Sequence, residues 1–102
     1  MTPDEMREDY DWQEAFKALD KVEPVEGYEG PLDAVTLDDV EEVIAASAGE
    51  NESASWLCIV RLRDRRFVFL DAWCDYTGWD CRGNASAWVH GDLDALVQFG
   101  CT

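Results

Sequence analysis

The chain has 102 residues and a net charge of −15, with five tryptophans and four cysteines. That length fits one domain that can bury a core without covalent staples. A field of this sign repels nucleic acid and anionic membrane and attracts basic protein surfaces. No apolar run approaches the roughly 18 residues of a membrane span. No charged-then-apolar leader opens the chain, so the expected setting is a reducing cytoplasm with mostly free thiols. The charge is uneven. Residues 1–53 hold 17 acids against Arg7, Lys17 and Lys21, a balance of −14, whereas residues 54–102 hold six acids against five arginines, a balance of −1.

The first element is a helix. Thr2 can cap it, Pro3 suits the first helical position, and Glu5 stands where a capping box needs it. Met6, Tyr10, Phe16 and Leu19, with Trp12 beside them, fit a helical stripe running to about Leu19. Asp4, Glu8, Asp11 and Glu14 repeat at intervals of three and four along the other face. Lys21 to Asp33 reads as an acidic loop, broken by Pro24, Gly27, Gly30 and Pro31, with Glu23, Glu26 and Glu29 at every third residue. Thr36 then caps a second predicted helix. Asp38 and Asp39 lie in its first turn, Leu37, Val40, Val43 and Ile44 form its buried stripe, and Gly49 stops it.

From Ala54 to Arg63 the period changes to two. Trp56, Cys58, Val60 and Leu62 share one face, and Leu57, Ile59, Arg61 and Arg63 the other. Asp64-Arg65 makes a tight turn, and Phe67 to Cys74 is a second strand, antiparallel to the first. Ala85 to His90 is a third. Asp92 caps a short last helix with Leu93, Leu96, Val97 and Phe99 apolar and Gly100 at its end. The predicted class is α+β: a three-stranded antiparallel meander with two N-terminal helices and one short C-terminal helix. Residues 1–53 form its acidic helical half and residues 54–102 its sheet and last helix.

The densest chemistry lies in Trp73-Cys74-Asp75-Tyr76-Thr77-Gly78-Trp79-Asp80-Cys81-Arg82. Cys74 and Cys81 are too far apart for a zinc knuckle, whose ligands sit about two to four residues apart. Cys58, Cys101 and His90 would have to complete the set from elsewhere in the fold. Cys58 alternates with core residues and reads as a small hydrophobe. Cys74 and Cys81 flank a hairpin-like connection, which suits a structural bridge better than a redox site at a helix start. Asp75 and Asp80 could divide acid and base roles beside His90. Aspartates around a Thr-Gly turn more often bond their own backbone, and His90 reads as a strand-end residue. Trp73, Tyr76, Trp79 and Trp88 could form a stacking platform. Trp73 and Trp88 read better as core, and Trp79 at the loop tip as an exposed interface anchor. No catalytic residue, metal ligand or cofactor is assigned, and the chain is expected not to be an enzyme.

The acidic half carries the functional reading. Duplex DNA presents about one charge per 1.7 Å of its axis, and rows of carboxylates on a small domain can imitate that pattern for a basic partner. The candidate partner-binding residues are Asp4, Glu8, Asp11 and Glu14 on the first helix, Glu23, Glu26 and Glu29 on the loop, Asp38, Asp39, Glu41 and Glu42 on the second helix, and Trp79. The alternative is a small-molecule or metal-binding module built on Cys74 to Arg82.

The octet Cys74-Asp75-Tyr76-Thr77-Gly78-Trp79-Asp80-Cys81, preceded by Arg66-Phe67-Val68-Phe69-Leu70 and followed by Leu93-Asp94-Ala95-Leu96-Val97, resembles a group of small uncharacterised proteins of actinobacteria and their phages. The likeness covers about the last half of the chain, and Arg82 stands where the resemblance leads one to expect glutamine. It implies a host range and no catalytic residues. By analogy, a small acidic phage protein would inhibit host defence or host nucleic-acid machinery.

Overall fold

The computed structural model describes residues 2–19, 21–30, 32, 35–47, 55–75 and 78–100, with backbone alone for 55, 74–75, 78–83 and 99–100. The chain opens with the expected capping box. The Thr2 hydroxyl accepts from the Glu5 N–H at 3.1 Å, and the Glu5 carboxylate accepts from the Thr2 N–H at 3.0 Å. These bonds favour the ionised carboxylate and draw the Glu5 pKa down, the Thr2 backbone N–H most of all. The predicted single helix is instead two, α1 (Pro3–Glu8) and α2 (Tyr10–Lys17). Asp9 is the reason. Its backbone is extended, and its carboxylate accepts from the N–H groups of Asp11 and Trp12, so it caps α2 and breaks the ladder.

The second predicted helix is not a helix. The Thr36 cap forms as read, with Asp39 accepting from the Thr36 N–H at 3.0 Å, but it starts only a 3-10 turn, Leu37–Asp39. Strand β2 (Val40–Ser47) follows directly. Val40, Val43 and Ile44 are stiff at χ1 and favour a pleated surface as readily as a helix, and the neighbouring strand supplies the pairing that decides between the two. The loop before it also contains a strand, β1 (Glu23–Pro24).

Strands β3 (Ser55–Leu62), β4 (Phe67–Asp75) and β5 (Gly78–His90) follow, then α3 (Leu93–Gly100). The fold is α+β, but the expected three-stranded meander is the middle of a five-stranded mixed sheet ordered β1-β5-β4-β3-β2. β1 runs parallel to β5 through Glu23 opposite Trp88, and the other three pairings are antiparallel. The third strand starts at Gly78, seven positions before the expected Ala85. Both outer strands come from residues 1–53, so the acidic half contributes to the sheet and does not stand apart from it.

One face of the sheet presents Trp56, Cys58, Val60, Leu62, Val68, Leu70, Ala72, Ala87 and Val89 to Met6, Trp12, Ala15, Phe16 and Leu19 of the N-terminal segment. Trp12 is 1% exposed and Met6 is sealed completely, so each of α1 and α2 is held by a large apolar side chain. Helices of this length do not persist alone in water. On the other face Phe69 and Trp88 pair with ring centroids 5.7 Å apart, tilted by 59°. α3 packs against β4 and β5, burying Leu96 apart from the main core. Trp73, expected in the core, is 41% exposed on that second face.

Candidate functional site: an acidic edge and an arginine-lined cleft

The sheet order divides the acidic candidates. β1 and β2 lie at opposite edges, four strand spacings or roughly 19 Å apart. Glu23 is on the β1 edge, with Glu26 and Glu29 in the loop that follows it. Glu41 and Glu42 are on β2, and α1 and the Leu37–Asp39 turn pack together beside that strand. Asp4, Glu8, Asp38, Asp39, Glu41 and Glu42 therefore gather at one edge. Asp11 and Glu14 are on α2, where Glu14 is half-buried and 3.7 Å from Lys17. The side chain of Trp79 lies outside the described residues.

Arg7 is the clamp of the acidic edge. Its guanidinium donates to the carbonyls of Leu37 at 3.2 Å and Val40 at 2.5 Å, and to Asp4 at 2.8 Å. That one group ties α1 to the turn and to β2. Arg63 donates to the Asp38 carbonyl at 2.8 Å from the other side. Arg61 reaches Glu41 at 3.2 Å and Glu42 at 3.5 Å. Counting Glu5, seven carboxylates meet three arginines here, which leaves a balance of −4. Both members of the Arg61 pairs are well exposed, so they stabilise little and do not hide the acids.

β2 is an edge strand, but a poor template for another strand. Its pairing with β3 shifts register between Val40 and Glu42 and again between Val43 and Ala45, leaving Glu41 and Ile44 as the extra residues. Two bulges and two adjacent glutamates discourage strand addition. Recognition at this edge must run through side chains. Beside it Ala45, Ser47, Leu57, Ile59 and Phe69 line a shallow apolar groove of about 170 Å³, with Leu57 40% exposed.

At one end of the sheet is a cleft of about 480 Å³ lined by Gly27, Tyr28, Glu29, Gly30, Asp64, Arg65, Arg66, His90 and Gly91. The β3–β4 hairpin supplies its arginines. The Arg65 N–H donates to the Leu62 carbonyl at 3.0 Å, the Leu62 N–H donates to the Arg66 carbonyl at 2.7 Å, and Arg65 occupies the left-handed region at φ 73°. The Arg66 guanidinium donates to Asp64 at 2.7 Å and to the Tyr28 hydroxyl at 3.4 Å. His90 ends β5 as expected. Its Nδ1 accepts from the Asp92 N–H at 2.8 Å, which leaves the ring proton on Nε2, the nitrogen nearer Gly27. Of these residues His90 and Glu29 were sequence candidates, His90 with Asp75 and Asp80 as its proposed partners and Glu29 as part of the acidic loop. The signal that could have found the cleft is Arg61, Arg63, Arg65 and Arg66 within six positions of a chain holding eight Lys and Arg in all.

The octet yields less. The β4–β5 register sets Cys74 opposite Gly83 and Asp75 opposite Gly78, with an irregularity between them. The side chains of Cys74, Asp75, Asp80, Cys81 and Arg82, and all of Tyr76, Thr77 and Cys101, lie outside the described residues, and with them the disulfide, metal and carboxylate-pair readings. Cys58 is buried, and desolvation pushes its thiol up to about 12, so it is held as a neutral thiol in the core.

Compared with known protein families, curated proteins and solved structures, the chain gives no significant match to any of the three. What its fold and surface define is a small α+β domain on a five-stranded mixed sheet, with carboxylates concentrated at one edge and arginines at one hairpin.

Proposed function

We propose that this is a small non-enzymatic interaction protein that docks its β2 edge on the basic surface of a nucleic-acid-binding protein and inhibits it. The observation that carries this reading is the gathering of Asp4, Glu8, Asp38, Asp39, Glu41 and Glu42 by α1, the 3-10 turn and β2. Such an edge steers a positively charged partner and fixes its orientation. The apolar groove beside it supplies what charge alone does not, a desolvated centre next to a polar rim. Glu23, Glu26 and Glu29 lie at the opposite edge and take no part in the contact, so the interface is narrower than a surface spanning all the acids. Imitation of a duplex is confined to this one edge.

The resemblance to proteins of actinobacteria and their phages directs the search to an actinobacterial lysate. The test is capture with the tagged chain, followed by carboxyl-to-amine crosslinking. The expected result is a basic nucleic-acid-binding protein joined through residues 38–42, released at about 0.5 M salt and displaced by duplex DNA. Crosslinks confined to residues 23–29, or a complex indifferent to salt and DNA, would overturn the proposal.

A further inference from the structure

We infer that the cleft between the Gly27–Gly30 loop and the β3–β4 hairpin binds the phosphate group of a small phosphorylated polyol, with Arg65, Arg66 and His90 as its donors. The site needs no protein partner, although Arg65 and Gly91 also line a neighbouring hollow with Glu41 and Arg61 of the acidic edge.

Two segments distant in sequence bring hydrogen-bond donors to this cleft: Arg65 and Arg66 from the hairpin, and His90 from the end of β5. A planar carboxylate is satisfied by one arginine fork. Donors arriving from several directions suit a tetrahedral oxyanion better. Arg66 is oriented in advance by Asp64 and Tyr28, and His90 is held in the Nε2–H form by the Asp92 backbone. The Arg65 side chain has no hydrogen bond or ion pair among the described residues, although those of Arg7, Arg61, Arg63 and Arg66 all have one.

Arg65 also sits where an arginine is costly. The last residue of this three-residue hairpin loop is left-handed, a place normally taken by glycine, because a side chain there crowds the carbonyl oxygen that follows it. Strain of this kind is a pointer to function when a charged group is what it presents. Two glycines, Gly27 and Gly30, line the same cleft. A Cβ on Gly27 would lie 3.4 Å from His90 Nε2, and one on Gly30 would collide with the Tyr28 hydroxyl at 2.6 Å. The volume, about 480 Å³, falls within the range of small-molecule sites, roughly 300–1,000 Å³. Glu29 lines the cleft with no ion pair among the described residues and can accept from a hydroxyl of the organic part. The chain's overall negative charge does not forbid an anion here. Beyond about 8 Å at physiological salt its field is largely screened; in the cleft itself Arg65 and Arg66 face Glu29 and Asp64, Asp64 is taken up by Arg66 at 2.7 Å, and Arg65 is left to meet the anion.

The test uses the full chain and three probes, inorganic phosphate, glucose 6-phosphate and glucose, followed by amide NMR shifts. The expected result is saturable shifts at Gly27, Arg65, Arg66 and Gly91 with both phosphate-bearing probes, tighter for the sugar phosphate, and none with glucose. Arg65→Gly is the decisive variant because relief of the left-handed backbone keeps it folded. It should melt higher than the parent and bind phosphate about tenfold or more weakly. His90→Gln should weaken phosphate binding with the fold retained. Absence of shifts at about 10 mM phosphate, well above a typical metabolite KM, or unchanged phosphate affinity in Arg65→Gly, would overturn the inference.

Discussion

Replacing Arg7 by alanine removes the group that joins α1 to the Leu37–Asp39 turn and to β2. The side chain is 24% exposed and makes three bonds of different worth. The bond to Asp4, whose own side chain is 90% exposed, contributes less than about 1 kcal/mol. The bonds to the Leu37 and Val40 carbonyls are charge-assisted and partly shielded, and are worth about 1–1.5 kcal/mol each. The loss on Arg7→Ala is therefore about 2–4 kcal/mol, a large part of the roughly 5–15 kcal/mol that holds a domain of this kind. Arg63→Ala is the control. It removes one exposed bond, from Nε to the Asp38 carbonyl, and should cost about 0.5–1 kcal/mol. Arg7→Lys should recover less than half, because an ammonium is a point charge and cannot span three acceptors as a planar fork does. Urea denaturation gives the energies, and amide exchange at residues 4–8 and 40–44 shows whether α1 is released. A loss for Arg7→Ala no larger than that of Arg63→Ala, or full rescue by lysine, would refute the role of Arg7 as a clamp.

Three further outcomes follow from local geometry. Asp9→Ala should lose the cap of α2 at a cost of about 0.5–2 kcal/mol by urea denaturation, with faster amide exchange at Asp11 and Trp12. Asp71 has its pKa raised by partial burial. A carboxyl whose folded pKa exceeds its unfolded one contributes most below the unfolded value and loses that contribution as pH rises through the folded value. Asp71→Asn should thus raise the melting temperature at neutral pH and flatten the pH dependence just above the usual carboxylate range. Cys58 should resist a thiol reagent at neutral pH in a variant whose other three cysteines are serine, reacting only as denaturant opens the core. Cys58→Ser should destabilise by about 1–3 kcal/mol on the same urea curves, through burial of a hydroxyl.

Local chemistry was readable along much of the chain. The Thr2 capping box, the alternation from Trp56 to Leu62, the Asp64-Arg65 turn and the Asp92 start of α3 all stand where the sequence puts them. What failed was choosing between structures that share a pattern. Val40, Val43 and Ile44 fit one face of a helix, yet they form an edge strand because β3 offers a partner, and partnership is a tertiary fact. Asp9 lies between Glu8 and Asp11 of the acidic row, and only its extended backbone shows it to be a cap. The two-residue β1 carries no period at all. The cleft was hidden for the same reason. Tyr28, Arg66 and His90 are separated by 38 and 24 positions, and the parallel β1–β5 pairing and the β3–β4 hairpin bring them together.

The central claim is tested most directly by partner affinity in two charge-neutralised variants of equal size, measured across salt concentrations. One carries Asp38→Asn, Glu41→Gln and Glu42→Gln, and the other Glu23→Gln, Glu26→Gln and Glu29→Gln. Docking through the β2 edge predicts that the first loses at least about tenfold in affinity and most of its salt dependence, while the second stays within about twofold of the parent. Equal losses in the two variants would contradict it, since that result belongs to a diffuse negative field and not to an interface.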